Sequence, residues 1–267
     1  MKIAVCMKQV PAYSEGNMDE KTGLIIRSGL EAVVNVYDMA ALEAALRIKE
    51  QRGGQIDVFT MGPLGAGQVL REAYALGADQ GYLISDRSFG GADVLATSYT
   101  LMQAIMSQGN YDLILCGKQT TDGDTGQVSG ALARWIGMAH YTGIVDVSAA
   151  EGEEIIMKQI FEDRSMVWQV EPPCLLAVER TAFIPRMPSL KLRMAGKKKD
   201  IQTIDLSDLT DQETDHYGLK GSATRVKKIF PPERTPQSEI KIMEGKKAAQ
   251  YIIKTIQGIQ DTKGAVS

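Results

Sequence analysis

The chain has 267 residues, 44% of them hydrophobic and 24% charged, with 33 acidic against 30 basic side chains and a formal net charge of -3. A chain of this length can bury roughly 70 to 75% of its unfolded surface, so a core can form without metal or disulfide staples. The near-neutral charge excludes the broad basic footprint of a nucleic-acid binder. No apolar run approaches the ~20 residues of a membrane span, and the Met1 to Cys6 run is too short for a signal-peptide core, which together predict a cytoplasmic protein.

Short apolar runs alternate with amphipathic helical patterns along the first two-thirds, the sequence form of a parallel sheet covered by helices. Lys2 to Cys6 reads as the first strand. Asp38 to Gln51 places Ala41, Leu42, Ala45, Leu46 and Ile48 on one face and pairs Glu43 with Arg47 four residues on, so it reads as a helix that Gly53 and Gly54 stop. Ile56 to Thr60 is a strand. After Gly62 and Pro63 a helix turns Val69, Leu70, Ala73 and Leu76 inward and ends at Gly77. Tyr82 to Ser85 gives a strand, Ala92 to Ser107 a helix, Tyr111 to Cys116 a strand, and Gly126 to Gly137 a further helix. The expected fold class is α/β, a doubly wound, mostly parallel, Rossmann-like sheet.

From residue 143 the texture becomes β-rich. Gly143 to Val147, Glu154 to Ile160 and Met166 to Val170 read as strands, the last two forming a hairpin that feeds the strand Cys174 to Glu179. Residues 180 to 240 hold most of the prolines and the basic run Lys197 to Lys199 with little periodicity, and such a stretch is uncommon unless it binds something. A last amphipathic helix is expected from Glu239 to Ile259. The expected division is a nucleotide-binding domain over 1–190 and an arm with a terminal helix over 191–267.

Cys6, Cys116 and Cys174 lie far apart in apolar runs, so no disulfide framework is expected. His140 and His216 stand outside metal-ligand spacing of any cysteine and read as a loop and a surface residue, with no metal site. The informative segment is Gly117, Lys118, Gln119, Thr120, Thr121, Asp122, Gly123, Asp124, Thr125, Gly126, Gln127 and Val128, which follows a predicted strand and opens a helix. Ligands of open parallel sheets sit at the carboxyl ends of strands where the winding reverses. Glycines there allow close backbone approach, and the free N–H groups of a first helical turn hold a phosphate. Asp122 or Asp124 would repel phosphate if it faced it, so one is expected to cap the helix. An Asp-Gly turn followed by an N-cap is the plainer alternative for the same residues. Helix entrances at Asp38 and Asp93 can converge on the same edge or simply need these aspartates as N-caps. The loop is no calcium site, since Ala133 stands where a bidentate glutamate is required. Residues 62–67 match neither dinucleotide nor Walker glycine spacing. With no G-x-S-x-G and no nucleophile–base pair, the chain reads as a cofactor holder with no catalytic residues of its own.

Taken together, the Val5 to Pro11 run, the Asn35 to Ala45 helix entrance, Met61 to Pro63 with Leu70 to Ala73 and Leu76 to Asp79, the 117–127 loop, and Ile184 to Leu190 leading to Lys197 to Lys199 make the sequence similar to the beta subunit of electron transfer flavoproteins, nearly end to end. The resemblance implies a heterodimer with an alpha subunit that carries its own FAD. By matching positions it implies a nucleotide site formed by Cys6, Asn35, Val36, Tyr37, Asp38, Met61, Gly62 and residues 117–128. Ordinary members hold AMP there as a structural ligand, and electron-bifurcating members hold a second FAD beside an NAD site. Asp86 to Tyr99 resembles the glycine loop of the bifurcating type, which implies FAD and NAD here and adds Phe89, Gly90, Ala92, Asp93 and Thr97 to the cofactor-binding set. The implied activity is flavin-based electron bifurcation between NADH, ferredoxin or flavodoxin, and a partner flavin dehydrogenase. The 179–190 stretch resembles the family's docking loop, and the terminal arm would pack on the alpha subunit. Phe183 and Ile184 replace the Asn-Glu pair usual with acyl-CoA dehydrogenases, and Val36 and Tyr37 replace a proline-containing pair. Those departures bring in a lactate or other 2-hydroxyacid dehydrogenase as a second partner class.

Overall fold

The computed structural model describes residues 1–12, 32–225 and 241–264. They fall into two compact units, Met1–Lys228 and Ile229–Ser267. The first is built in chain order from β1 (Lys2–Cys6), β2 (Gln9–Pro11), β3 (Ala32–Val34), α1 (Val36–Arg52), β4 (Gln55–Met61), α2 (Gly67–Leu76), β5 (Gln80–Ile84), α3 (Val94–Ser107), β6 (Leu113–Gly117) and α4 (Val128–Ile136). It continues through β7 (Ala139–Ala149), β8 (Ile155–Ile160), β9 (Ser165–Val170), β10 (Cys174–Val178), α5 (Leu190–Gly196), β11 (Gln202–Ile204) and the short α6 (Gly218–Gly221). The second unit contains α7 (Gly245–Gly264). The terminal helix is therefore present, while its expected start at Glu239 and residues 226–240 of the arm lie outside the described residues.

A nine-stranded sheet runs in the order β11-β5-β4-β1-β6-β10-β7-β8-β9. Pairing is parallel from β11 to β7, and only β8 and β9 are antiparallel. The chain steps outward from β1 to β4 and β5, then returns to place β6 on the other side of β1, so the winding reverses between β1 and β6. Both faces of the central strands are covered, as their alternation shows. Ile3 and Val5 of β1 and Leu113 and Leu115 of β6 join the cluster that includes Leu42, Ile48 and Leu70, while Ala4, Ile114 and Cys116 join the one with Phe59, Leu101 and Leu132. The doubly wound α/β class follows from this topology.

Differences from the sequence reading have local causes. The strand read from 143 begins at Ala139, because Ala139 to Ile144 pair with β10 and Ile144 to Ala149 with β8, with a register shift at the changeover. His140 thus lies in a strand, beside Ser129 Oγ at 3.2 Å, and not in a loop. The pair β2 and β3 was not expected, since three-residue strands carry no readable periodicity. The first unit runs to Lys228. Residues 190–221 fold back onto the sheet domain: Arg71 Nη1 donates to the Gly196 carbonyl at 2.8 Å, Tyr74 Oη donates to the Asp200 carbonyl at 2.7 Å, and β11 extends the sheet beyond β5. In the basic run, Lys199 Nζ donates to the carbonyls of Ala78 and Asp79 at 2.9 and 3.1 Å and lies over the Tyr74 ring. This lysine satisfies two carbonyls of the turn between α2 and β5.

One buried carboxylate ties the amino-terminal edges of two strands together. Asp57 on β4 is 1% exposed and accepts from Tyr111 Oη and Gln55 Nε2, both at 2.7 Å. Burial, then the hydrogen bond to Asp57, pushes the Tyr111 phenol far above the usual range, so it stays a donor. Removing one donor from a buried carboxylate costs about 1 to 3 kcal/mol. Tyr111→Phe is therefore expected to lower unfolding free energy by that amount in urea titrations without changing the denaturant slope.

Candidate functional site

At the reversal between β1 and β6 three chain segments are locked together. The carboxylate of Asp38, 5% exposed in the first turn of α1, accepts from the backbone N–H of Lys8 at 2.8 Å with one oxygen and from that of Gly117 at 3.1 Å with the other. Asn35 N–H donates to the Lys8 carbonyl at 3.0 Å, and Asn35 Nδ2 donates to the Gln119 carbonyl at 2.9 Å. The end of β1, the entrance of α1 and the loop after β6 thus form one hydrogen-bonded clasp. Gly117 admits it, because a Cβ there would stand 2.3 Å from Asp38 Oδ1 and 2.6 Å from Tyr37 Cβ.

Asp38 is not the N-cap that the sequence suggested. The helix begins two residues earlier, at Val36, with Asn35 at the cap position and no side-chain cap bond. Burial pushes the Asp38 carboxyl up to about 7 against the lowering effect of the Lys8 and Gly117 N–H groups. Asp93 does cap α3, accepting from Ala96 N–H at 3.1 Å. The helix expected from Gly126 starts at Val128, with Gln127 at its cap position and again no side-chain cap bond. Neither Asp122 nor Asp124 caps it: Asp122 pairs with Lys8 Nζ at 2.7 Å and Asp124 Oδ1 accepts from Gln119 Nε2 at 2.6 Å. Burial raises the Asp122 carboxyl, but the hydrogen bonds from Lys8, Thr120 and Gly123 N–H and the charge of Lys8 together hold it below the usual carboxylate range.

The loop reaches α4 through two left-handed residues, Asp124 with φ 51° and Gly126 with φ 62°. Alternating backbone handedness of this kind turns successive N–H groups to one side and forms an anion-binding concavity. Residues 121–127 are exposed, and the N–H groups of Thr125, Gly126 and Gln127 have no acceptor among the described residues. The first turn of α4 adds its own free donors and the positive end of its dipole. Around this mouth stand half-buried Cys6, Tyr37, Met61 and Gly62 and exposed Val36. Asn35 Oδ1 and Thr60 Oγ1, both buried, have no partner among the described residues. A concavity of bare N–H groups at the mouth of the sheet fits a site for a phosphorylated ligand such as a nucleotide.

The remaining expected residues divide. Lys118 turns away from the loop to Glu179 Oε1 at 2.6 Å, while Thr120 and Thr121 stay in it. Phe89 is 4% exposed with its ring 5.4 Å from that of Tyr217, so its side chain belongs to the core. The Gly90 carbonyl accepts from Leu219 N–H at 3.0 Å, and Asp93 also accepts from Thr224 N–H at 2.8 Å, so residues 217–224 back this second loop. Ala92 and Thr97 are half-buried at the entrance of α3. Cys6 and Cys116 are register partners on adjacent strands, and all three cysteines are free thiols. A hydrogen bond to Cys6, then burial, pushes the Cys116 thiol up, which makes it unreactive. Lys8 was missed as a site residue, since its partner Asp122 lies 114 positions away and nothing local in a strand-end lysine announces it.

Comparison with known proteins gives the family. An electron transfer flavoprotein domain matches residues 22–209. The electron transfer flavoprotein subunit beta of Thermoanaerobacterium thermosaccharolyticum is 37% identical over 257 residues, covering 96% of this chain and 98% of the relative. The acryloyl-CoA reductase electron transfer subunit gamma of Anaerotignum propionicum is 39% identical, covering 91% of this chain and 92% of the relative. The caffeyl-CoA reductase-Etf complex subunit CarD of Acetobacterium woodii is 40% identical, covering 87% and 88% respectively.

The clasp predicts a pH signature. Asn in place of Asp38 offers one acceptor and turns its amide donor against an N–H, so Asp38→Asn should cost about 1 to 3 kcal/mol. A carboxyl raised to about 7 binds its proton more tightly folded than unfolded. Its contribution to stability therefore falls as pH rises from about 4 to 7. The gap between wild type and Asp38→Asn in chemical denaturation should narrow across that range, and a gap that widens contradicts the assignment.

Proposed function

The chain belongs to the electron transfer flavoprotein family, and from that premise we propose that it is the beta subunit of a bifurcating heterodimer, holding FAD at the mouth between β1 and β6. The observation that carries the reading is the row of unpaired N–H groups at Thr125 to Gln127, set at the reversal of winding and leading into α4. These groups would receive the pyrophosphate, with Asn35, Cys6, Tyr37 and Met61 around the rest of the nucleotide. Gly62 and residues 89–97 would seat NAD(H), with Phe89 stiffening that loop from behind. A flavin supplies the two-electron to one-electron conversion that a nicotinamide cannot perform. The protein's share is binding, orientation and electrostatic tuning. AMP in place of FAD is the second reading, supported by the same N–H groups.

The partner dehydrogenase would meet the segment after β10. Ile184, Met187 and Leu190 are 87, 88 and 77% exposed, while Phe183 between them and the sheet is 5% exposed. Arg186 pins the segment to α1: its Nε donates to Glu43 Oε2 at 2.8 Å, its backbone N–H donates to the same oxygen at 3.1 Å, and its guanidinium also pairs with Glu50. Arg47 holds Glu43 from the other side at 3.0 Å and stacks on Phe183. Large apolar side chains held outward on a rigid frame suit docking. Two relatives are named for CoA-thioester reductases. That favours an acyl-CoA-type flavin dehydrogenase over a lactate or other 2-hydroxyacid dehydrogenase as partner. Ferredoxin or flavodoxin would take the low-potential electron, in the cytoplasm. The alpha subunit would be gripped by the second unit, whose α7 exposes Tyr251, Ile252, Ile253 and Ile256.

Cofactor content decides the central reading. Heterodimer purified from co-expression should contain two FAD, one of them bleached by NADH, and one FAD with one AMP and no response to NADH would defeat it. The frame is tested separately. Arg186→Gln should weaken binding to the partner dehydrogenase about tenfold or more, as expected for a loosened contact cluster, while leaving flavin content unchanged. Equal affinity in a pull-down titration would place docking elsewhere.

A further inference from the structure

The nucleotide loop carries two carboxylates, Asp122 and Asp124, within a few residues of the N–H groups proposed to take phosphate. Like charges brought this close repel even near a protein surface, where the effective dielectric is about 20. Asp124 is met by a neutral amide, Gln119 Nε2. Lys118, the cation inside the loop, is committed to Glu179. Asp122 is the one met by a cation from outside, Lys8, whose Nζ donates to both of its oxygens at 2.9 and 2.7 Å.

The backbone of Lys8 is fixed on both sides, its N–H by Asp38 and its carbonyl by Asn35 N–H. The ammonium is thus launched from a rigid point on β1's end toward the loop. With side chains 44 and 31% exposed, the pair contributes little to folding stability. Its consequence falls on what the loop can bind.

We infer that Lys8 is a positioning residue of the nucleotide site, neutralising Asp122 so that the loop accepts a phosphorylated ligand. This rests on the nucleotide reading of the loop above. Neutralising the ammonium should penalise a ligand in proportion to its phosphate charge and leave the nucleoside moiety indifferent. Asp122→Asn should cancel the penalty, because it removes the charge that Lys8 balances.

The test uses the heterodimer with its alpha subunit, dialysed free of exchangeable nucleotide, and titrates AMP and adenosine separately by calorimetry. Lys8→Gln is expected to weaken AMP about tenfold and leave adenosine unchanged. Lys8→Gln with Asp122→Asn should return AMP to within about threefold of wild type, and Lys8→Arg should keep wild-type affinity. If Lys8→Gln weakens AMP and adenosine alike, or if Asp122→Asn fails to rescue, Lys8 acts on the structure and the inference is overturned. Should Lys8→Gln not fold, Asp122→Asn alone decides: unchanged or tighter AMP binding supports charge masking, and weaker binding overturns it. Wild-type complex that binds neither AMP nor adenosine, and on denaturation releases only the flavin of the alpha subunit and no other flavin or nucleotide, overturns the nucleotide reading itself. Wild-type binding without the Lys8 effect overturns the inference alone.

Discussion

The carboxylate of Asp38 is the constraint from which the mouth of the sheet is built. It is a short acidic side chain buried in the first turn of a helix, and each oxygen receives a backbone N–H from a different strand end. Backbone N–H groups at strand ends have no ladder partner and must be satisfied elsewhere when buried. Here one side chain satisfies two of them and fixes the spacing of β1, β6 and α1 together. The lack of a Cβ at Gly117, the placement of Lys8 and the contact of Asn35 with the loop all depend on that spacing.

α1 connects this mouth to the opposite surface. Its amino-terminal turn carries Asn35 and Asp38, and its later turns carry Glu43, Arg47 and Glu50, which hold the segment at 183–186. Between Ala40 and Ile48 only Arg47 of this helix is exposed. Ala40, Ala41, Leu42, Ala44, Ala45 and Ile48 are wholly buried, and even Glu43 is 4% exposed. Alanines suit such a helix, combining high helical propensity with close approach of the sheet on one side and the returning chain on the other. Glu43 sits below the usual carboxylate range, because the hydrogen bonds from Arg186 and Arg47 together outweigh its burial. The site and the exposed apolar segment are therefore mounted on one rigid element.

The strands and long helices of the sheet were legible in the sequence because alternation and 3.6-residue periodicity are local consequences of covering both faces. The loop from Gly117 to Val128 was legible as a break between a strand and a helix, because its glycines and aspartates interrupt both periodicities. The aspartates were not. Asp38, Asp93, Asp122 and Asp124 look alike as potential caps, and only Asp93 is one of the four. Whether a carboxylate turns to its own helix, to a neighbouring strand end or to a distant lysine depends on which donors the fold leaves unpaired nearby. The segment from 190 to 221 was unreadable for a related reason, since its order comes from Arg71, Tyr74 and Gly90, residues a hundred or more positions earlier in most cases.

By itself, then, the sequence determined a doubly wound sheet, the glycine-bearing loop between β6 and α4 and, through resemblance, the family. The tertiary structure alone decided that Asp38 clasps two strands, that Lys8 answers Asp122, and that the returning chain belongs to the sheet domain. Periodicity is written into neighbouring residues, whereas the pairing of a buried charge is settled by whichever partner the completed fold brings within hydrogen-bond distance.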